Sequence, residues 1–434
     1  MSESRARTFA ARLRAARPDI AAALAVVVAL AFPAHAEETD FDTWLAAFRD
    51  EAQAQGISPA TLASALDGIE PVERVIELDR RQPEFLQTFA AYLARRVTSE
   101  QVDRGQTMLE AHADLFDAVE TRYGVAANVL AAFWGLETRY GAFKGGLNIP
   151  ASLATLAYDG RRSAFFRKEL LDALRIIDAG HVTAPEMNGS WAGAMGHMQF
   201  MPSTFRAYAV DADGDARIDL WQSLPDAMNS AANYLSRAGW RSGEPIAVEV
   251  TLPPDFDLRK ARAGHRQPVA DWAAAGVRAA SGCTLPQVNG KAGIVLPQGW
   301  EGPAFMVFDN FDVVMRWNRS VSYALTVAQL AQQLADGDGL VHPAVEEAAL
   351  SLVQVKLLQQ ALNELGFDAG EPDGVLGPQT QAALRRYQVV HALPADGYPG
   401  SAVMAHVART HAAAFPRAEP EPEAEPPSFD VNPH

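Results

Sequence analysis

Glu137 stands at the end of an apolar helical stripe. In Leu130-Ala131-Ala132-Phe133-Trp134-Gly135-Leu136-Glu137-Thr138-Arg139-Tyr140-Gly141, positions 130, 133, 134 and 137 share one helical face, which sets the carboxyl against Phe133 and Trp134. A carboxyl in apolar surroundings loses solvation, which disfavours its charged form and moves it toward the range of a general acid. Glycosidic bond cleavage needs such an acid, because the leaving oxygen must receive a proton near neutral pH. Periodicity by itself favours a plainer reading, a Glu turned to solvent near a helix end with Gly141 as the stop signal.

A second segment, Ser190-Trp191-Ala192-Gly193-Ala194-Met195-Gly196-His197-Met198-Gln199-Phe200-Met201-Pro202-Ser203-Thr204-Phe205, is dense in small residues. Small residues at 192–196 let a bulky ligand approach backbone N–H and C=O groups, while Ser190 and Gln199 can hydrogen-bond sugar substituents. The same composition suits a tight helix-packing turn equally well.

Gly135-Leu136-Glu137-Thr138-Arg139-Tyr140-Gly141, followed by Ala192-Gly193-Ala194-Met195-Gly196 and Gln199-Phe200-Met201-Pro202-Ser203, resembles the lytic murein transglycosylase B family in motif order and separation. The resemblance covers about residues 40 to 335. It implies a lysozyme-like helical core in which Glu137 is the sole catalytic residue. In that family the Glu protonates the bond between N-acetylmuramic acid and N-acetylglucosamine. As carboxylate it then draws the proton from the muramic C6 hydroxyl, leaving a 1,6-anhydro end. Such chemistry needs no second carboxylate, unlike a two-carboxylate glycosidase.

The resemblance also implies substrate contacts at Tyr92, Ser190, Gln199, Tyr234, Asn318 and Tyr323, and at Trp317, where relatives also carry Tyr. Core packing is the competing reading for each aromatic. His197, at a place that varies among relatives, receives no catalytic role. Two alternatives stay open: a peptidoglycan hydrolase using water in place of the C6 hydroxyl, and a non-catalytic wall-binding scaffold, against which the intact Glu137 argues.

Asp211-Ala212-Asp213-Gly214-Asp215-Ala216-Arg217 opens like an EF-hand calcium loop, with carboxylates at alternate positions offering hard oxygen ligands. Ala216 replaces the turn glycine, and Gln222 replaces the closing Glu. In the resembled family a longer loop ends on an Asp, here Asp226, with Arg217 giving only its carbonyl. A structural calcium site on Asp211, Asp213, Asp215, Arg217 and Asp226 stands beside the alternative of an acidic surface turn. No catalytic metal or cofactor is expected.

Near the other end of the chain, Val355-Lys356-Leu357-Leu358-Gln359-Gln360-Ala361-Leu362, Asp373-Gly374-Val375-Leu376-Gly377-Pro378-Gln379-Thr380 and Tyr387-Gln388 resemble the peptidoglycan-binding helical domain attached to wall hydrolases. Asp373-Gly374 recurs as Asp396-Gly397, which suggests an internal duplication. Such a module would tether the enzyme to the wall and raise its local concentration there.

The elements that must position these residues follow from pattern. The fold expected is mainly α (α+β): a helical catalytic region over 37–335 with a strand-rich insertion at about 244–312, a linker at 336–347, and a three-helix module at 348–410. Apolar spacing of three and four, as in Phe41, Trp44, Leu45 and Phe48, signals helices up to about 240. Runs such as Ile246-Ala247-Val248-Glu249-Val250 and Phe305-Met306-Val307-Phe308 signal strands, and helical pattern returns at Tyr323 to Leu334. Five Arg, an apolar run from Ile20 to Phe32 and Ala34-His35-Ala36 read as a signal peptide over 1–36. That run, about 13 residues, falls short of the roughly 20 needed to cross a bilayer. The expected location is therefore periplasmic, with no transmembrane segment in the mature chain. The Glu- and Pro-rich residues 411–434 are expected to be a disordered tail.

The net charge of −16 excludes ordinary nucleic-acid binding, which relies on Lys and Arg neutralising phosphates. The expected partner is the peptidoglycan glycan strand; no protein partner is indicated. Cys283 is the single cysteine, so an internal disulfide is impossible, and an oxidising compartment favours a buried or inert thiol.

Overall fold

The structure is a computed structural model and describes residues 40–81 and 87–415. The expected signal peptide and residues 416–434 of the expected tail lie outside the described residues. Among the described residues there are seventeen α-helices and seven short strands, and no helix is long and apolar enough to cross a membrane.

The first helix, Phe41–Ala54, starts where the Asp40 carboxylate accepts the Thr43 N–H (3.0 Å). It buries Phe41, Leu45, Phe48 and Ala52, and Trp44 lies flat on Phe48 at 5.6 Å. Helix Ala127–Thr138 differs in kind, since every residue from Val129 to Gly135 is buried. Apolar on all sides, it can only be a central element. Around it pack helices Ser99–Ala111, Ala113–Tyr123, Leu224–Arg237 and Val321–Leu334. Gly105 and Gly135 let the Ser99–Ala111 helix come close enough for Tyr140 to fit between: a Cβ at Gly105 would stand 2.2 Å from the Tyr140 hydroxyl.

The insertion folds as a five-stranded antiparallel sheet in the order Gln267–Pro268, Lys291–Val295, Ala304–Val307, Ala247–Thr251, Arg278–Ala279. Strand Ala304–Val307 is buried on both faces, and the period of two decides which core each side chain joins. Phe305 and Val307 point into the main helical core. Ala304 and Met306 join Val250, Trp272, Ile294 and Phe308 in a smaller core of the insertion. The last strand ends at Val307, and helix Asp309–Trp317 begins before the expected limit at 312. Cys283 is exposed rather than buried, because it lies in the turn after Arg278–Ala279 and not on a packed strand.

The expected linker is strapped to the sheet. Both oxygens of the buried Glu249 carboxylate accept backbone N–H groups, from Val341 (2.8 Å) and His342 (2.7 Å). Gln298 holds the Val345 carbonyl (2.7 Å). Beyond it, helices Leu352–Glu364, Pro378–Val390 and Ser401–Ala414 make the three-helix module. The last helix runs past the expected limit at 410, since a His411–Glu364 contact (2.5 Å) and a ring contact between His411 and Phe415 tie its final turn back.

Candidate active site

The helix that carries Glu137 ends on strained backbone. Arg139 (φ 51°) and Tyr140 (φ 58°) both occupy the left-handed region, which costs non-glycine residues on the order of 1–3 kcal/mol each unless their surroundings hold them. Tyr140 donates its hydroxyl to the Gln101 carbonyl (2.9 Å), and Gln101 Nε2 donates to the Gly135 carbonyl (2.7 Å). Thr138 donates its hydroxyl to the His197 carbonyl (2.9 Å) and accepts the Gly141 N–H (3.0 Å). Gly141 is required on two counts: its φ is +78°, and a Cβ there would meet His197 Cε1 at 2.4 Å. The two motifs are thus locked to each other at the turn that follows Glu137.

Glu137 is half-buried. Its Oε1 accepts from Tyr323 Oη (2.5 Å) and from Trp317 Nε1 (2.9 Å). Tyr323 is buried, and burial first, then the Glu137 charge and hydrogen bond, push its phenol well above the usual tyrosine range. It therefore remains a donor at every working pH. Phe133 packs on both donors, with ring centroids 4.7 Å from Trp317 and 6.2 Å from Tyr323. Trp317 also meets Phe200 at 5.4 Å and Tyr234 at 5.1 Å.

The Trp134 indole N–H has another partner. The Trp134 indole donates to His197 Nδ1 (2.9 Å) and stacks edge-on with Tyr140, and Trp317 is the indole that binds Glu137. Burial, with Lys144 nearby, pushes the His197 imidazole down to about 4. It thus stays neutral and accepts the Trp134 hydrogen bond, which is a structural duty.

Ser190 and the small residues form a tight loop, in which Ser190 Oγ accepts the Ala194 N–H (2.9 Å). Gln199 sits at φ 48°, with its Nε2 donating to the carbonyls of Gly196 (3.0 Å) and Lys144 (3.2 Å). Its amide nitrogen is therefore committed to the loop, and its carbonyl oxygen is the part that can meet a ligand. Tyr234 is half-buried and packs on Tyr208 at 4.8 Å. Asn318 ends helix Asp309–Trp317, directly after Trp317. Tyr92 is buried on helix Phe89–Arg96, near enough to Tyr323 to act on its phenol, and the Arg96 guanidinium lies over its ring at 3.9 Å.

Three further residues shape this wall without having been singled out in the sequence. Phe200 and Tyr208 extend the aromatic surface, and Gln101 braces the turn after Glu137. Phe200 lies inside the second motif and was legible there. Gln101 was not, because its role depends on how close two helices come.

The acidic loop brings Asp211, Asp213 and Asp226 together, with one oxygen of each within 4.8 Å of the others. Ala216 takes the left-handed turn (φ 68°) where such loops usually carry Gly. Asp226 is buried in the first turn of helix Leu224–Arg237, where its oxygens accept the N–H groups of Ala212 (2.7 Å) and Asp219 (2.8 Å). Burial pushes its carboxyl up, and the nearby Asp213 adds to that push. A buried acid facing a second carboxylate is a donor set that suits a hard divalent cation. Asp215 lies outside this cluster of three, its carboxylate accepting the Arg217 N–H (2.7 Å), while the Arg217 side chain binds the His181 carbonyl.

Comparison with known proteins agrees with this geometry. A family model described as the transglycosylase SLT domain matches residues 40–332, and one described as a putative peptidoglycan binding domain matches residues 351–407. Membrane-bound lytic murein transglycosylase B of Escherichia coli K12 is 32% identical over 257 residues, spanning 56% of this chain and 66% of that relative. The crystal structure of SltB3 from Pseudomonas aeruginosa, in complex with NAG-anhNAM-pentapeptide, superposes with a TM-score of 0.82 at 42% identity, covering 85% of this chain and 99% of that one. Slt35 of Escherichia coli, solved in complex with calcium, superposes with a TM-score of 0.59 at 29% identity, covering 67% and 92%. With its helical core matched along its length and a wall-binding module behind it, the chain belongs to the transglycosylase SLT domain family, as a lytic murein transglycosylase with a C-terminal peptidoglycan-binding domain.

Proposed function

We propose that this protein cleaves peptidoglycan glycan strands between N-acetylmuramic acid and N-acetylglucosamine, and that Glu137 is its single acid and base. The observation that carries this reading is the convergence of Tyr323 and Trp317 on Oε1 of Glu137. Two fixed donors orient one carboxyl inside an aromatic wall, and orientation is what a group that gives and then takes a proton must have. Glu137 protonates the glycosidic oxygen, so the leaving sugar departs with its hydroxyl. The carboxylate so formed takes the C6 hydroxyl proton as that oxygen closes on C1, giving the 1,6-anhydro end and restoring the acid. Tyr323 and Trp317 stabilise the carboxylate between the two steps.

Tyr92, Ser190, Gln199, Tyr234 and Asn318 complete the substrate-binding wall in this reading, with the Tyr234 and Trp317 rings offering faces to sugar rings. Asp211, Asp213 and Asp226 hold a structural Ca2+, which neutralises the cluster and pins the loop that leads to helix Leu224–Arg237. The chain acts in the periplasm, where its substrate lies, after export by the segment 1–36.

Mass spectrometry of muropeptides released from purified peptidoglycan tests the reaction, with Glu137→Gln alongside. Anhydro ends, one water lighter than hydrolysed ends, are expected from the unsubstituted chain and none from the variant. Reducing ends would instead assign a hydrolase, and no release from either would assign a scaffold.

A further inference from the structure

The C-terminal module contains two copies of one small device. In the first, Gln359 Nε2 donates to Asp373 Oδ1 (2.9 Å), the same oxygen accepts the Val375 N–H (2.8 Å), and Gly374 N donates to Gln359 Oε1 (2.9 Å). The second repeats it bond for bond. Gln388 Nε2 donates to Asp396 Oδ1 (2.7 Å), that oxygen accepts the Tyr398 N–H (2.8 Å), and Gly397 N donates to Gln388 Oε1 (2.7 Å). A cation stands three residues before each glutamine, Lys356 and Arg385, and each acts on the aspartate of its own copy.

The two copies differ in what lies outside them. The second is engaged by the rest of this chain, and by main-chain groups: Asp396 Oδ2 accepts the Trp300 N–H (3.0 Å), and Arg385 reaches the Ala261 carbonyl (3.4 Å). In the first, Asp373 Oδ2 has no partner among the described residues. Beside it Leu352 and Val375 are 47% and 40% exposed. Leu352 leans directly over the loop, since a Cβ at Gly374 would touch its Cγ at 2.7 Å.

We propose that the Asp373 face is the surface by which this module grips the wall, and that it grips the stem peptide rather than the glycan. The inference rests on the wall-binding reading of the module and adds which face binds and what it binds. The second copy shows the kind of group that this device accepts from outside. Its aspartate takes an amide N–H, and its cation takes a carbonyl oxygen. A stem peptide supplies amide N–H groups, carbonyls and free carboxylates for Asp373 and Lys356, and methyl side chains for the exposed Leu352 and Val375. A sugar ring would call for an aromatic platform, and neither Leu352 nor Val375 is aromatic.

The test is retention of the full chain on insoluble peptidoglycan, with Glu137→Gln in every sample so that the wall is not consumed. Two walls are compared, one intact and one stripped of its stems by an amidase. On intact wall, Asp373→Asn, Lys356→Glu and Leu352→Ser are each expected to weaken retention about tenfold, the loss of one good contact. Stem removal is expected to bring the parent chain down to the same level. Lys356 is half-exposed on its helix and makes no hydrogen bond within the loop, so its variant remains informative if Asp373→Asn unfolds the loop. Variants retained as well as their parent would overturn the proposal and leave the wall-binding reading intact, as would a parent indifferent to stem removal. A parent retained on neither wall would overturn both.

Discussion

Glu137 and Asp226 are both acids placed by helices of the same core, yet they are held in opposite ways. Asp226 is fully buried, sits in the first turn of its helix, and gives one oxygen each to two backbone N–H groups. Glu137 is half-buried, sits at the last turn of its helix, and gives one oxygen to two side-chain donors. Backbone donors cannot be withdrawn without unfolding a loop, so Asp226 is part of the scaffold. Side-chain donors orient a carboxyl while leaving it free to exchange a proton. With Glu137 as the proposed acid, the difference teaches that the nature of an acid's donors, more than its burial, separates a reactive carboxyl from a structural one.

The sharpest way to break the comparison is to remove each acid's charge and measure both activity and stability. Glu137→Gln is expected to cut muropeptide release by about 10³-fold, within the range that general acid–base groups supply, with an unfolding midpoint close to that of the parent. Asp226→Asn is expected to do the reverse. It turns one acceptor into a donor that faces a backbone N–H, at a stability cost of about 3 kcal/mol by urea titration, while kcat measured on the folded fraction stays within about twofold. If Asp226→Asn abolished turnover without loss of stability, the division between the two acids would fail.

Calcium sharpens the same contrast. With the cation at about 100 times its Kd the folded state gains about 2.7 kcal/mol, so chelation is expected to lower Tm by several degrees and to leave Glu137 chemistry intact below the melt. An unchanged melt would reassign Asp211, Asp213 and Asp226 to an acidic surface turn. Tyr323→Phe tests the other acid. Losing one hydrogen bond to a charged group costs about 1.5–3 kcal/mol, which predicts kcat lower by about 10- to 100-fold with KM little changed, because the phenol meets Glu137 rather than the sugar.

Much of this was legible in the sequence, for reasons that differ by residue. Glu137 and the small-residue loop are contiguous motifs whose spacing carries their meaning. The sheet strands announced themselves through Phe305-Met306-Val307-Phe308, although which core each side chain entered depended on what lay above and below. The identity of the indole that hydrogen-bonds Glu137 was not legible. Periodicity places Trp134 on the right face, but His197 offers that indole an acceptor, and Trp317 arrives from a helix 180 residues away in sequence. The strap of residues 341–347 was also hidden, because it hangs on Glu249 and Gln298, which look in sequence like ordinary strand and turn positions.

His197 gives the smallest effect and the one whose sign is most easily mistaken. Burial depresses its imidazole from 6.5 to about 4, with the Lys144 charge adding to the shift. A group that binds its proton less readily when folded contributes stability that is complete above pH 6.5. That contribution drains away as the pH falls toward 4, because over this window the unfolded chain takes up a proton that the folded chain refuses. The imidazole is partly open to solvent, so the expected loss is only on the order of 1 kcal/mol. His197→Gln removes the titration but keeps an acceptor for Trp134. Its unfolding free energy, followed by urea titration from pH 7 to pH 4, is expected to fall less steeply than that of the parent. Parallel curves would mean that His197 titrates alike in both states and does not lock the Trp134 indole, and the second motif would then need another tie to the helix that carries Glu137.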